Sequence, residues 1–335
     1  MFTLLLPLLS IPAAWAASDD YHWAYSGENG ETSWPTKYGF CGGVHQSPLD
    51  FHHSILQYDS TLYPIRLQGY NVSTTDYFTL SNNGHTVSMS LLPTMSIEIP
   101  PFTYIASSLH FHWGNLAHPK GSEHCIGGKR FAAEVHVVHY NSKYADVATA
   151  MNAADGLAVL GILLEVGSFH SSYDGILTRL VNVKYKGQNA LIPGFNLQTL
   201  LPTRLDEFYR YEGSLTTPPC NPSVLWTVFR NPVFISLEQL QSLETALYCT
   251  DGNSTVTEEM INNYRQLQNK GDRIVSVSFR EGVVLAVALA SVLGVVVITG
   301  VTCYLCNRKR RGKKNEKKMV VYKAAMVAEE NTSKV

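Results

Sequence analysis

The stretch Leu109-His110-Phe111-His112-Trp113-Gly114 sets two histidines one residue apart among bulky apolar neighbours. In an extended strand, side chains alternate between faces, so His110 and His112 share one face while Leu109, Phe111 and Trp113 share the other. Such a pair is most often the hydrogen-bonded polar side of a half-buried strand. A third ligand from a neighbouring strand would make it a metal centre. Other runs, at 78–80, 86–91, 134–140, 157–166 and 224–229, are also strand-like and are separated by Gly, Pro and Asn turns. Helical patterning is confined to short pieces, notably 236–247, which predicts a mostly β domain with peripheral helices.

The third ligand is sought among His118, His124, His136 and His139. The last two lie in Phe131-Ala-Ala-Glu-Val-His-Val-Val-His-Tyr140, where Glu134, His136 and Val138 share one face and Val135, Val137 and His139 the other. Glu134 favours His136, because a carboxylate two residues away can orient a ligating imidazole. His139 is then expected in the core. Three neutral imidazoles leave the fourth tetrahedral position of a zinc ion open to water, the arrangement of catalytic rather than structural sites.

The chain ends carry different signals. Residues 1–17 read as a secretory signal, with the apolar run 2–9 and Ala14-Trp15-Ala16 before the cleavage point. From Gly282 to Cys306 an apolar segment of roughly 25 residues would form about 37 Å of helix, enough to span a bilayer. The basic cluster that follows, from Arg308 to Lys318, places residues 307–335 in the cytoplasm and the domain at 18–279 outside, a single-pass type I topology at the plasma membrane.

A formal charge of −1 hides an asymmetry. From Arg308 onward there are ten basic and three acidic residues, leaving sixteen basic and twenty-four acidic residues before it. The ectodomain is therefore acidic, which argues against a nucleic-acid partner, while the juxtamembrane cluster suits anionic lipid. Gly282, Ala286, Ala290 and Gly294 form a stripe of small residues suited to a homodimer of spans. Cys41, Cys125, Cys220 and Cys249 face an oxidising compartment, so at least one disulfide is expected, and spacing leaves three pairings open. Asn71 and Asn253 sit in glycosylation sequons; Asn331 does too, but on the cytoplasmic side.

The segment Ser122-Glu-His-Cys-Ile-Gly-Gly-Lys-Arg-Phe-Ala-Ala-Glu-Val-His-Val-Val138, with Asn82-Asn-Gly-His85, Gly213-Ser-Leu-Thr-Thr-Pro-Pro-Cys220 and the 109–114 stretch, resembles the α-class carbonic anhydrases. The likeness runs from about Tyr21 to Phe279, and with the span and tail it points to the membrane-anchored members. It implies a large, twisted, mostly antiparallel central sheet, a mainly β (α+β) fold. It also implies a zinc lyase in which zinc-bound hydroxide reversibly hydrates carbon dioxide to bicarbonate, contributing to extracellular pH and bicarbonate handling.

By that resemblance His110, His112 and His136 hold the metal, with Glu134 and Ser108 behind them. Thr216 orients the hydroxide through Glu123, and Thr217 lines the product side. Val138, Val159, Leu215, Val224 and Trp226 receive carbon dioxide, while Cys41 pairs with Cys220. His85 matches the proton shuttle, for which an ordinary histidine pKa of about 6.5 would suit, and Tyr25 helps order the water chain. Two departures stand out. Ser108 replaces a common glutamine and Cys125 a common threonine. The rival readings are a silent ectodomain used for adhesion, which would be expected to have lost a zinc histidine, and a zinc esterase, expected to need a wider or more polar pocket.

Overall fold

The computed structural model describes residues 22–280 and 283–332; the signal at 1–17 and Gly282 lie outside them. Of these, the residues up to Phe279 form one compact unit and those from Arg280 a second.

The first unit is organised by a 13-stranded mixed sheet. Its centre is a run of antiparallel neighbours, Val87–Ser90, Phe102–Trp113, Ala133–Asn141 and Leu157–Val166, continued by Val224–Phe229 and Phe208–Gly213. Most pairings are antiparallel, as the resemblance implies; Leu157–Val166 meets both Val224–Phe229 and Val233–Ile235 in parallel, and Val275–Val277 meets Leu56–Tyr58 likewise.

Alternation explains why these central strands stay where they are. Leu109, Phe111 and Trp113 are fully buried in the same apolar cluster as Val135, Val137, Leu160 and Ile162. At roughly 1.5–3 kcal/mol per fully buried large apolar side chain, slipping this strand by one residue would expose the set and bury the histidines against it. The register then places His136 opposite His110, and Glu134 opposite His112. A bulge interrupts it between Val138 and His139, which pair with Ser108 and Ala106, leaving Ser107 as the extra residue.

The helical expectation at 236–247 is met by Leu237–Ala246. Ser236 caps it, its side chain accepting from the Gln239 amide while Gln239 reaches back to the Ser236 amide. Leu240 and Leu243 seat the helix in the core. Asn71 and Asn253 are both exposed.

The second unit is a single helix, Val283–Thr332. It contains a stretch apolar and long enough to cross a membrane, with mean hydropathy 2.2 over its best window. The helix does not end where the basic residues begin; it continues through Arg308–Lys318.

Candidate metal centre and its cleft

Two of the three ligand candidates are held by different parts of the chain. The His112 ring donates from Nδ1 to the Asn263 carbonyl at 2.7 Å, which leaves Nε2 with a free lone pair. The His136 ring donates from Nε2 to Glu134 Oε1 at 2.8 Å, which leaves Nδ1 free. Those two free nitrogens face each other 3.1 Å apart. Lone pairs aimed at one another repel unless a cation lies between them. The candidate nitrogens of His110, His112 and His136 all lie within 4.8 Å of one another, so the donor set fits a metal ion. Burial holds the His110 and His112 rings far below the ordinary histidine pKa, reinforced by neighbouring imidazoles, so both are neutral donors.

Glu134 does more than orient one ligand. Its Oε1 accepts from both His136 Nε2 and His124 Nδ1, and its Oε2 accepts from the His124 amide. Burial alone would raise its carboxyl pKa. The neighbouring His124 and the ring hydrogen bonds from His124 and His136 reverse that, holding the group well below the carboxylate range. His124, Glu134 and His136 also cluster tightly enough for a metal. Glu134 Oε1 is already taken by two N–H donors, so this second group is a hydrogen-bonded relay. It extends through His124 Nε2 to the Tyr211 hydroxyl at 2.7 Å, then to Ser47 Oγ at 2.9 Å, which accepts from the Ser214 amide.

His139 takes the expected core position, buried and bonded at 2.5 Å to the Tyr70 hydroxyl. Ser108 stands where the family commonly carries the longer glutamine. Among the described residues no hydrogen bond joins its short hydroxyl to His110, because serine ends one carbon beyond Cα and the two residues stand two apart on one strand.

Glu123 is fully buried and accepts from the Arg265 amide at 2.8 Å. Burial raises its pKa, opposed by His136, by Thr216 and by that amide. Thr216 is close enough to favour the ionised carboxyl yet falls short of hydrogen-bond geometry, so Glu123 Oε2 is left unpaired. Both residues are buried, Thr216 at 4% exposure beside the half-buried Thr217.

The five apolar candidates do come together. Val138, Val159, Val224 and Trp226 are buried in one cluster with Leu215 packed against it. Val138 pairs with Val159, which pairs with Trp226. The Trp226 ring lies 4.7 Å from His136, and its indole N–H donates to the Ser214 carbonyl at 3.0 Å. Cys41 and Cys220 form a disulfide, tying the chain after Thr216-Thr217 to the N-terminal region. Cys125 is a buried free thiol.

Beside this centre a cleft of about 780 Å³ is lined by His22, Trp23, Tyr25, His85, Lys186 and Asn263, among others. Here one expectation is corrected. His85 is not an ordinary solvated histidine, because its ring stacks on Trp23 at 3.7 Å and 7°. Burial, with smaller contributions from His22 and Lys186, lowers its pKa to about 4. Tyr25 packs edge-on against Trp23, and burial raises its hydroxyl pKa well above the usual value.

Asn263 and Trp23 escaped the sequence reading. Asn263 fixes His112 through its carbonyl and donates from Nδ2 to the His85 carbonyl, linking ligand and cleft. It stands 151 residues from His112, and no local pattern marks it.

A mixed β-sheet carrying three convergent histidines defines a metal-dependent enzyme, and the chain belongs to the eukaryotic-type carbonic anhydrases, a zinc-dependent family whose profile matches residues 29–279. It is 51% identical over 334 residues to carbonic anhydrase 12 of Homo sapiens, covering 96% of this chain and 94% of that protein. It is also 39% identical over 281 residues to carbonic anhydrase 6 of Canis lupus familiaris, covering 82% and 85%. The corresponding Homo sapiens carbonic anhydrase 6 is 39% identical over 262 residues.

Proposed function

We propose that this chain catalyses the reversible hydration of carbon dioxide at the outer face of the plasma membrane, with zinc held by His110, His112 and His136. The observation that carries the reading is the pair of free ring nitrogens 3.1 Å apart in His112 and His136. Bound there, zinc would lower the pKa of water to about 7 and so supply hydroxide at neutral pH, a value for which carbonic anhydrase itself is the reference case.

The protein's own groups do the rest. The Thr216 hydroxyl would donate a hydrogen bond to Glu123 Oε2, the oxygen without a hydrogen-bond partner here, and could then only accept from the attacking oxygen, which would aim that oxygen's lone pair at carbon. The Thr216 amide polarises the substrate's oxygen, and Thr217 lines the product side. The wall of Val138, Val159, Leu215, Val224 and Trp226 suits an apolar, linear substrate, and its proximity to His136 supports that role. His85 and Tyr25 line the cleft through which a proton would leave. Glu134 keeps His136 in the tautomer that ligates through Nδ1.

The apolar helix supports an anchored, type I enzyme that handles extracellular pH and bicarbonate, with the basic stretch on the cytoplasmic side near anionic lipid. Asn71 and Asn253 would then carry glycans. Dimerisation through Gly282, Ala286, Ala290 and Gly294 belongs to the same reading. Of this stripe, Ala290 is exposed, and a Cβ added at Gly294 meets nothing within 4 Å, so both can serve a helix partner. Ala290→Ile with Gly294→Ile should turn a crosslinked dimer into monomer, while Val292→Ile should leave it dimeric.

The test of the main reading is zinc content and carbon dioxide hydration on one preparation. One zinc per chain with rapid hydration is expected. A zinc-free, inactive protein would instead support the adhesion reading, and ester hydrolysis without hydration the esterase reading.

A further inference from the structure

Arg210 is set into the sheet opposite Thr227 and Ser276, and it lines a cavity of about 470 Å³ that is separate from the cleft beside the metal centre. That size falls within the range of small-molecule sites. The walls are largely apolar, made by Leu62, Tyr63, Pro64, Ile65, Ile99 and Pro100, with Thr61, Arg66 and Glu98 also lining the space.

The guanidinium is half-buried and makes one side-chain hydrogen bond among the described residues. Its Nε donates to Thr227 Oγ1 at 2.9 Å and its carbon lies 4.9 Å from the Phe208 ring, but among the described residues it has no carboxylate or carbonyl partner. The fully buried arginines carry more hydrogen bonds, although Arg265 Nε has no hydrogen-bond partner among the described residues. Arg265 donates to Gln46 Oε1 and to the Ser47 and Cys41 carbonyls. Arg273 donates to four carbonyls, those of Lys270, Glu212, Gln46 and Asn269. The acid lining the Arg210 cavity, Glu98, is engaged by Gln68 and Arg66 instead.

Burial lowers the Arg210 pKa to about 10, which still leaves a full charge at neutral pH. A half-buried guanidinium whose one side-chain hydrogen bond goes to a neutral hydroxyl keeps donors to spare for a ligand in the cavity. Bulk phosphate would leave the apolar walls unused, and a neutral hydrocarbon would leave the charge unpaired. A planar carboxylate on a compact apolar body satisfies both, since guanidinium binds carboxylate through paired N–H donors.

We propose that the Arg210 cavity is a second, non-catalytic site that binds small monocarboxylates with an aromatic or branched apolar body. The probe is benzoate, titrated into the zinc-loaded full chain and followed by methyl NMR. Ile65 and Ile99 report on the Arg210 cavity, whereas Val159 reports on the apolar cluster near His136. Saturable shifts at Ile65 and Ile99 are expected, with Arg210→Gln weakening benzoate at least tenfold while hydration changes by less than twofold. Tyr63 is 74% exposed, so Tyr63→Ser should fold normally and weaken binding about threefold through lost wall contact. Benzamide, isosteric but neutral, should bind at least tenfold more weakly than benzoate. Shifts confined to Val159, equal binding of benzamide, or benzoate affinity unchanged in both variants would each overturn the proposal.

Discussion

The ligand histidines and the cleft histidine live under different rules. His112 and His136 are buried, and each is locked through one ring nitrogen by a carbonyl or carboxylate acceptor, so that the other nitrogen is fixed in direction and kept unprotonated. His85 is held by ring stacking on Trp23, and its hydrogen bonds run through its backbone. Hydrogen bonds specify which nitrogen carries a proton, as a metal ligand needs; stacking specifies only a plane and leaves the choice of nitrogen open. The difference teaches that the two sets should fail differently when altered.

The largest effect is expected at the ligands. His112→Ala leaves two protein donors and should lower zinc affinity by several orders of magnitude, abolishing hydration. His139→Ala, its counterpart on the core side, should retain one zinc per chain apart from any packing loss. Metal analysis after dialysis decides it, and a His139 variant that loses zinc while the His112 variant keeps it would reverse the face assignment.

Glu134→Gln tests the lock itself. The amide oxygen can still accept from both rings, but the negative charge is lost and the NH2 group in place of Oε2 meets the His124 amide donor against donor, so zinc affinity should drop about 10- to 100-fold. Zinc exchange measured against a competing chelator would show this, and an unchanged affinity would mean that His136 needs no fixed tautomer.

At the cleft the effect should be confined to turnover. His85→Ala should lower kcat about tenfold or more in weak buffer, spare kcat/KM, and recover with added imidazole. An equal fall in kcat/KM would place His85 with the ligands instead.

Trp23→Ala sharpens the contrast with the smallest change. Relief from burial should raise the His85 pKa from about 4 toward the ordinary 6.5. The sign for stability follows. The native ring now binds fewer protons than the unfolded chain between pH 6.5 and 4, so the His85 contribution falls as pH drops through that window. The variant should show a flatter dependence, read by imidazole NMR titration alongside urea unfolding at pH 7 and 5. A pKa that stays near 4 would mean that His22 and Lys186, not stacking, hold it down.

Much of the centre was readable from local pattern. Strict alternation over Leu109–Trp113 and Glu134–Val138 is enough to sort histidines by face, because the strand period is two and one face must be buried. The same logic put His139 in the core. The pattern becomes ambiguous at Ser107-Ser108, where two half-buried residues in succession mark the bulge; two polar neighbours look alike whichever strand carries the extra residue.

What the sequence determined by itself is therefore the membrane-length apolar segment, the strand faces, the family and the three histidines, all properties of short windows or of motifs. What only the tertiary structure decided are contacts between distant segments. The Asn263 carbonyl on His112, the hydrogen bonds of His124 and His136 to Glu134, the Trp23 ring over His85 and the setting of Arg210 beside Thr227 all depend on which surfaces meet. A backbone carbonyl is the same chemical group at every position, and a pKa follows from burial and neighbours that no residue carries in its name.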